Sequence, residues 1–153
     1  MKQFLRGFGF AFNGIKTCLL EERNFRVHLC VAVYVCLLAP YFNLTRGEWA
    51  ILLLTIGLVL VCEAVNTAIE RLVDLASPSL HPLAKAAKDV AAGSVLLCGL
   101  IAVGVAIFLL TKPEGWQAML QDFSNHIWKL IALITSVPLL GWLAFRSYSS
   151  KND

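Results

Sequence analysis

Apolar and polar positions fall along this chain in blocks long enough to cross a bilayer. Apolar runs occupy residues 27–42, 49–68, 90–110 and 127–145. A helix needs about 20 residues to span a hydrocarbon core, so the first run is short and must begin within residues 24–26. Residues 1–22 follow a different pattern. Phe4, Phe8, Phe12, Ile15 and Leu19 recur at three- and four-residue steps, with Lys2, Arg6, Asn13 and Lys16 opposite. That period predicts an amphipathic helix lying in the membrane interface, packed on the protein's own surface, or both. Glu21, Glu22, Arg23 and Asn24 end it and turn the chain into the bilayer.

The connections give the order of crossing. A short outer turn at 43–48 makes the first two runs an antiparallel pair. Ser77-Pro78 breaks the second helix after Asp74, and His81-Pro82 opens the third, since proline is tolerated in a first turn. Gly93, Gly99 and Gly104 suit close helix packing. Residues 111–126 form the longest polar stretch, with Pro113 and Gly115 as breakers, and read as an external loop. The fourth run contains Pro138. The expected fold is an all-α integral membrane protein. It has an N-terminal amphipathic surface helix and three transmembrane helices in 1–110. An additional transmembrane helix and a cytoplasmic tail follow in 127–153.

Composition agrees, with 58% hydrophobic residues and a mean hydropathy of +0.71. The net charge of +3 is too small to argue for nucleic acid. Its distribution says more. Lys2, Arg6, Lys16, Arg23, Arg26, Arg71, Lys85, Lys88, Arg146 and Lys151 fall on one side of the expected membrane, against Arg46, Lys112 and Lys129 on the other. Ten against three places both termini in the cytoplasm. The five cysteines form no CxxC pair and read as small buried hydrophobes. The N-terminus lacks the apolar core and cleavage site of a signal peptide.

The chemistry lies where apolar sequence is interrupted. Glu63, Asn66, Thr67, Glu70 and Asp74 share an arc of about 100° on one helix. Acids at membrane depth are costly, and two on one face are hard to explain as packing. Thr67 could back-bond to its own helix, and Asp74 could pair with Arg71 or a lysine. Lys85, Lys88, Asp89 and Ala92 share a face of the next helix, with His81 in the connection. The two lysines alone suit positive-inside anchors. Together the two faces supply carboxylates for Mg²⁺ and lysines for phosphate oxygens, which is what phosphoryl transfer requires. No GxxxxGK[ST] loop is present, and Gly7-Phe8-Gly9 is a weak candidate for a phosphate cradle. His28 and His126 read as structural or solvated.

The run Glu63-Ala-Val-Asn66-Thr-Ala-Ile-Glu70-Arg-Leu-Val-Asp74, followed by His81-Pro-Leu-Ala-Lys85-Ala-Ala-Lys88-Asp89, resembles the signature of the bacterial membrane diacylglycerol kinase/undecaprenol kinase family. Glu22-Arg23-Asn24-Phe25-Arg26 resembles that family's first acidic motif, and the likeness covers about residues 1–110. The resemblance implies an ATP- and Mg²⁺-dependent lipid kinase of the bacterial inner membrane, acting on a lipid alcohol as a homotrimer with shared active sites. It implies Glu63 as general base and Asn66 as an orienting group. Glu22 and Glu70 would hold magnesium. Lys88 and Asp89 would face the nucleotide phosphates, and His81 would lie near the nucleotide. The wording around Glu22 and His81 is closer to undecaprenol-type members, with diacylglycerol close behind. Phe10 and Phe12 depart from relatives where adenine contacts are expected, and the fourth run lies outside the three-span pattern. Two other classes fit less of the chain. One is a small proton- or cation-coupled transporter using Glu63 and Glu70 as its ion site. The other is an assembly subunit whose acids meet a partner's cations.

Overall fold

The computed structural model of the chain describes residues 2–77 and 81–146. The break expected at Pro78, the side chain of Lys2 and the tail carrying Lys151 lie outside the described residues. The elements are α1 (Lys2–Glu21), α2 (Arg23–Leu38) with a 3₁₀ turn (Ala39–Phe42), α3 (Arg46–Ala76), α4 (Pro82–Leu110), α5 (Pro113–Asn125) and α6 (Ile127–Phe145). Four of them are long and apolar enough to cross a membrane: α2 with its 3₁₀ turn, α3, α4 and α6.

Local chemistry sets the boundaries. Asn43 takes a left-handed conformation (φ 46°), which asparagine tolerates better than most residues, and so turns the chain between α2 and α3. Thr45 then caps α3 in a reciprocal box. Its hydroxyl accepts the Glu48 N–H at 3.2 Å, and Glu48 Oε2 accepts the Thr45 N–H at 2.7 Å. Helix α3 runs for 31 residues, about 46 Å at 1.5 Å per residue. That exceeds a hydrocarbon core of about 30 Å by about three helical turns. At α4, His81 is the N-cap and Pro82 occupies the first turn, as the sequence implies.

The most extensive packing is between α3 and α4. The buried core is small: Ala39, Leu52 and Leu109, with Trp49, Ile56 and Val105 packed around them. Large apolar side chains such as Leu54, Phe108 and Leu139 point outward, as expected of surfaces that face lipid. Helix α6 lies antiparallel along α2. Contacts run from Tyr34 Oη with Ser136 Oγ (2.9 Å) to Arg26 Nε with the Ala144 carbonyl (3.1 Å), stepping along both helices in opposite directions. The ends of α1, α3 and α6 and the beginnings of α2 and α4 therefore gather at one end of the bundle, the Glu22 end.

Two expectations change. Residues 113–125 form a helix and not an irregular loop, because Pro113 sits in the first turn, where its missing N–H costs nothing. Gly115 is not a breaker; a Cβ there would overlap the ring of buried Phe42, so glycine permits α5 to approach the 3₁₀ turn. A Cβ at Gly93, Gly99 or Gly104 would find nothing within 4 Å among the described residues, so none of them is needed for close helix packing there.

Candidate active site

The polar stripe of α3 divides by depth. Glu63, Asn66 and Thr67 are 3%, 7% and 5% exposed, Glu70 is half-buried, and Asp74 is exposed. Thr67 is satisfied locally, its hydroxyl donating to the Glu63 carbonyl at 3.1 Å. Asn66 Nδ2 donates to Glu70 Oε1 at 2.9 Å, while its buried Oδ1 has no hydrogen-bond partner among the described residues. Glu63 interacts electrostatically with Glu22, Glu70 and His28, and the Asn24 side chain reaches it. Among the described residues no lysine or arginine lies within ion-pair distance of Glu63.

Glu22 enters from the elbow between α1 and α2, where it is the N-cap of α2. Arg71 Nη2 bridges Glu21 Oε2 and Glu22 Oε1, each at 3.0 Å, tying the elbow to the last turns of α3. The two acids expected to hold metal, Glu22 and Glu70, thus lie around Glu63 at the same end of the bundle. No three histidine, cysteine or acidic side chains converge into a cage among the described residues. A two-carboxylate set still suits magnesium, which takes one or two carboxylates and fills its remaining positions with water and phosphate oxygens. The residues fit that ion on donor chemistry.

The α4 residues border this site as ion pairs. Lys88 Nζ meets Asp74 Oδ1 at 2.7 Å, and Lys85 Nζ meets Asp89 Oδ2 at 2.6 Å. Asp74 therefore pairs with a lysine of α4 and not with Arg71. His81 is exposed, its Nδ1 accepting the Leu83 N–H at 3.2 Å as it caps α4. Phe10 and Phe12 are exposed on α1.

Two hollows flank the stripe. One, of about 400 Å³, lies between α1 and α3 and is lined by Cys18, Phe25, Thr67 and Arg71. The other is an apolar groove of about 570 Å³ between α2, α3 and α4, lined by His28, Val31, Leu52, Val59 and Leu96 among others. His28, read from the sequence as structural or solvated, both lines this groove and faces Glu63. Its only sequence signal was a histidine inside an apolar run, three positions beyond Phe25. Arg71 was likewise weighed only as a partner for Asp74, although it directly follows Glu70. Cys62 and Cys98 also meet across α3 and α4, with sulfurs 3.0 Å apart.

The family model for prokaryotic diacylglycerol kinase matches residues 9–110, which hold every candidate residue described above. The chain is 41% identical to the undecaprenol kinase of Bacillus subtilis over 111 residues, 71% of this chain and 90% of that protein. It is 43% identical to a diacylglycerol kinase of Synechocystis over 110 residues, covering 71% of this chain but only 63% of that relative. A diacylglycerol kinase of Helicobacter pylori is 36% identical over 100 residues, 65% of this chain and 77% of its own length. No solved structure matches the chain. Helices α5 and α6 lie beyond the matched family region. These matches displace the transporter and assembly-subunit readings. A chain with these membrane helices, this acidic stripe and these relatives belongs to the prokaryotic diacylglycerol kinase family and is a lipid kinase of bacterial membranes.

Proposed function

We propose that this kinase transfers the γ-phosphate of ATP, with Mg²⁺, to the hydroxyl of undecaprenol at the cytoplasmic leaflet of the inner membrane. The observation that carries the reading is Glu63: a carboxylate 3% exposed, without a lysine or arginine ion pair among the described residues, beside an apolar groove. A buried acid faced only by an imidazole and an amide, with no lysine or arginine beside it, is a poor stabiliser and a good proton acceptor. The lipid chain occupies the groove, and its hydroxyl reaches Glu63 past His28. Glu63 takes the hydroxyl proton as the lipid oxygen attacks the γ-phosphorus. The bond to the bridging oxygen of ATP breaks and ADP leaves, after which Glu63 returns its proton to water.

Asn66 has one amide hydrogen committed to Glu70 and a buried oxygen to spare, so it orients Glu70 and accepts a hydrogen bond from the reacting groups. Glu22 and Glu70 would hold magnesium, which when bound neutralises charge developing on the phosphate oxygens. Lys88, Asp89 and His81 border the nucleotide side; for Lys88 to reach phosphate it exchanges its exposed pairing with Asp74 for the substrate. The preference for undecaprenol over diacylglycerol rests on the name and coverage of the Bacillus relative. The Glu22 end faces the cytoplasm, where ATP is, which puts both termini there in keeping with the charge bias. We read the protein as a homotrimer, whose contacts would use the uncovered glycine positions of α4.

The test is transfer of labelled γ-phosphate by purified protein offered undecaprenol, diacylglycerol and ceramide separately. Fastest labelling of undecaprenol is expected. Faster labelling of diacylglycerol would overturn the choice of lipid, and failure to label any of them would overturn the reading.

A further inference from the structure

Helix α6 lies outside the matched family region, yet one side chain ties it to the candidate metal site. Half-buried Arg26, on the first turn of α2, holds two helix ends at once. Its Nη1 donates to the carbonyls of Leu19 (3.2 Å) and Leu20 (2.8 Å), in the last turn of α1. Its Nε donates to the carbonyl of Ala144 (3.1 Å) and its Nη2 to that of Arg146 (3.0 Å), at the end of α6. A helix leaves its last four carbonyls without internal partners and carries partial negative charge there. A guanidinium, with five N–H donors in a rigid fork and a permanent positive charge, matches two such ends brought side by side. A lysine has the charge without the fork.

The residue enclosed by this arrangement is Glu22. The Arg26 backbone N–H bonds to the Glu22 carbonyl (3.3 Å), and the Glu22 N–H bonds to the Cys18 carbonyl (3.1 Å). The Arg26 side chain meanwhile grips two of the three carbonyls of α1 that lie between Cys18 and Glu22, those of Leu19 and Leu20. The α6 side of the clamp is held in place along its length. Cys30 Sγ reaches the Leu140 carbonyl, Tyr34 bonds Ser136, and the Arg23 guanidinium lies over the Phe145 ring at 5.6 Å. Ala144 is buried, so α6 sits directly on its neighbours where the clamp is made.

We infer that Arg26 is a positioning residue and that α6 is its anchor: the terminal carbonyls of the fourth span fix the α1–α2 elbow and so hold the Glu22 carboxylate in place for magnesium. The inference rests on the reading of Glu22 as a metal ligand. It gives α6 a role in this chain's own active site in addition to crossing the membrane.

The test uses the full chain in detergent, with ATP at fixed concentration, Mg²⁺ titrated and no lipid acceptor present. The readout is the Mg²⁺ concentration giving half the maximal rise in melting temperature, compared for wild type, Arg26→Gln, Arg26→Lys, Ala144→Leu and Glu22→Gln. Ala144→Leu wedges α6 away from α2 without altering a charge. Loss of a group that orients a metal ligand costs about 10–100-fold in metal affinity. Arg26→Gln and Ala144→Leu should each raise the requirement about tenfold, with Arg26→Lys between them and wild type. Combining the first two should add little, because both remove the same unit.

A second readout needs no nucleotide. The Cys18 side chain is buried beside the elbow, so it should react slowly with a maleimide. Either clamp variant should speed modification of Cys18, followed by mass spectrometry of its peptide. A clamp that only stabilised the fold would lower the melting temperature while leaving the half-saturating Mg²⁺ unmoved, and that result overturns the inference. A shift in Arg26→Gln without one in Ala144→Leu overturns it as well, since α6 would then not be the anchor. Should Arg26→Gln not fold, Ala144→Leu and Arg26→Lys decide the question. A shift in Glu22→Gln alone overturns only the positioning role. No shift in Glu22→Gln overturns the metal-site reading and the inference with it.

Discussion

Two polar clusters among the described residues, at opposite ends of the bundle, are built on opposite principles. At the far end Asp122 of α5 is surrounded by donors. Lys129 reaches both its oxygens (2.9 and 2.7 Å), His126 reaches Oδ1 at 3.1 Å, and the Tyr41 hydroxyl donates to Oδ2. The acid is fully compensated and ties the 3₁₀ turn, α5 and α6 together. At the Glu22 end, Glu63 is more deeply buried, has Glu22 and Glu70 as well as His28 and Asn24 for neighbours, and lacks a lysine or arginine ion pair, while Asn66 Oδ1 has no partner, all among the described residues. Satisfied polar clusters hold structures together. Clusters with unused capacity await a ligand, and buried native groups left unsatisfied are rare enough to require an explanation.

This contrast can be broken experimentally, and apart from Glu63 itself the largest effect belongs to the metal ligands. Glu22→Gln or Glu70→Gln should raise the Mg²⁺ needed for half-maximal turnover by about 100-fold or more, at or beyond the upper end of what loss of an outer-shell partner costs. Circular dichroism in detergent should show both variants folded. Unchanged magnesium dependence in both would remove them from the site.

At the far end the effect should fall on stability and not on turnover. Asp122→Asn should lower the melting temperature while leaving phosphate transfer near the wild-type rate. Hydrogen bonds from Lys129 first, then Tyr41, hold the Asp122 carboxyl down at about 2, against 3.8 ordinarily. A carboxyl depressed by folding stabilises fully above its unfolded pKa and stops doing so as pH falls through the folded one. The melting-temperature gap between wild type and Asp122→Asn should therefore be constant above pH 4 and close between pH 4 and pH 2, as thermal scans across that range would record. A gap that persists at pH 2 would mean the carboxylate charge is not what matters.

The smallest effect is a packing one. Gly115→Ala should cost about 1–3 kcal/mol, the usual range for overpacking a tight contact, because the new methyl meets the Phe42 ring. Denaturation by heat should register it while kinase kinetics stay unaltered.

How much of this could be read from sequence depended on whether the signal was local. The spans were legible because membrane helices must be apolar for about 20 residues, and the stripe because a helical period is visible in one segment. His81-Pro82 and the box at Thr45 show that helix ends are chosen by residues within a turn of the boundary, although only the first was anticipated. Helix α5 was missed because polar composition and a proline look like a loop until Phe42 supplies its packing partner. The grip of Arg71 on Glu21 and Glu22 was invisible for a different reason. It joins residues about 50 positions apart, and only the approach of α1 to α3 creates it. Pairing of α2 with α6 is likewise a matter of facing side chains, to which hydropathy is blind. The membrane setting and the acids were thus legible, whereas what each acid touches was not.

The central claim is that the unsatisfied end of the bundle works through Glu63, and single-turnover phosphate transfer tests it most directly. Wild type, Glu63→Gln and Asp74→Asn would be mixed with labelled MgATP and excess undecaprenol, with MgATP affinity measured separately. Glutamine keeps the size and hydrogen bonding of Glu63 but cannot accept the proton. A general base contributes about 10²–10⁴-fold, so Glu63→Gln should slow the transfer step by that order with MgATP affinity little changed. Asp74→Asn, exposed and about three turns farther along α3, should lose much less. Near-normal transfer in Glu63→Gln together with abolished transfer in Asp74→Asn would contradict the account and move the base to the opposite end of the stripe.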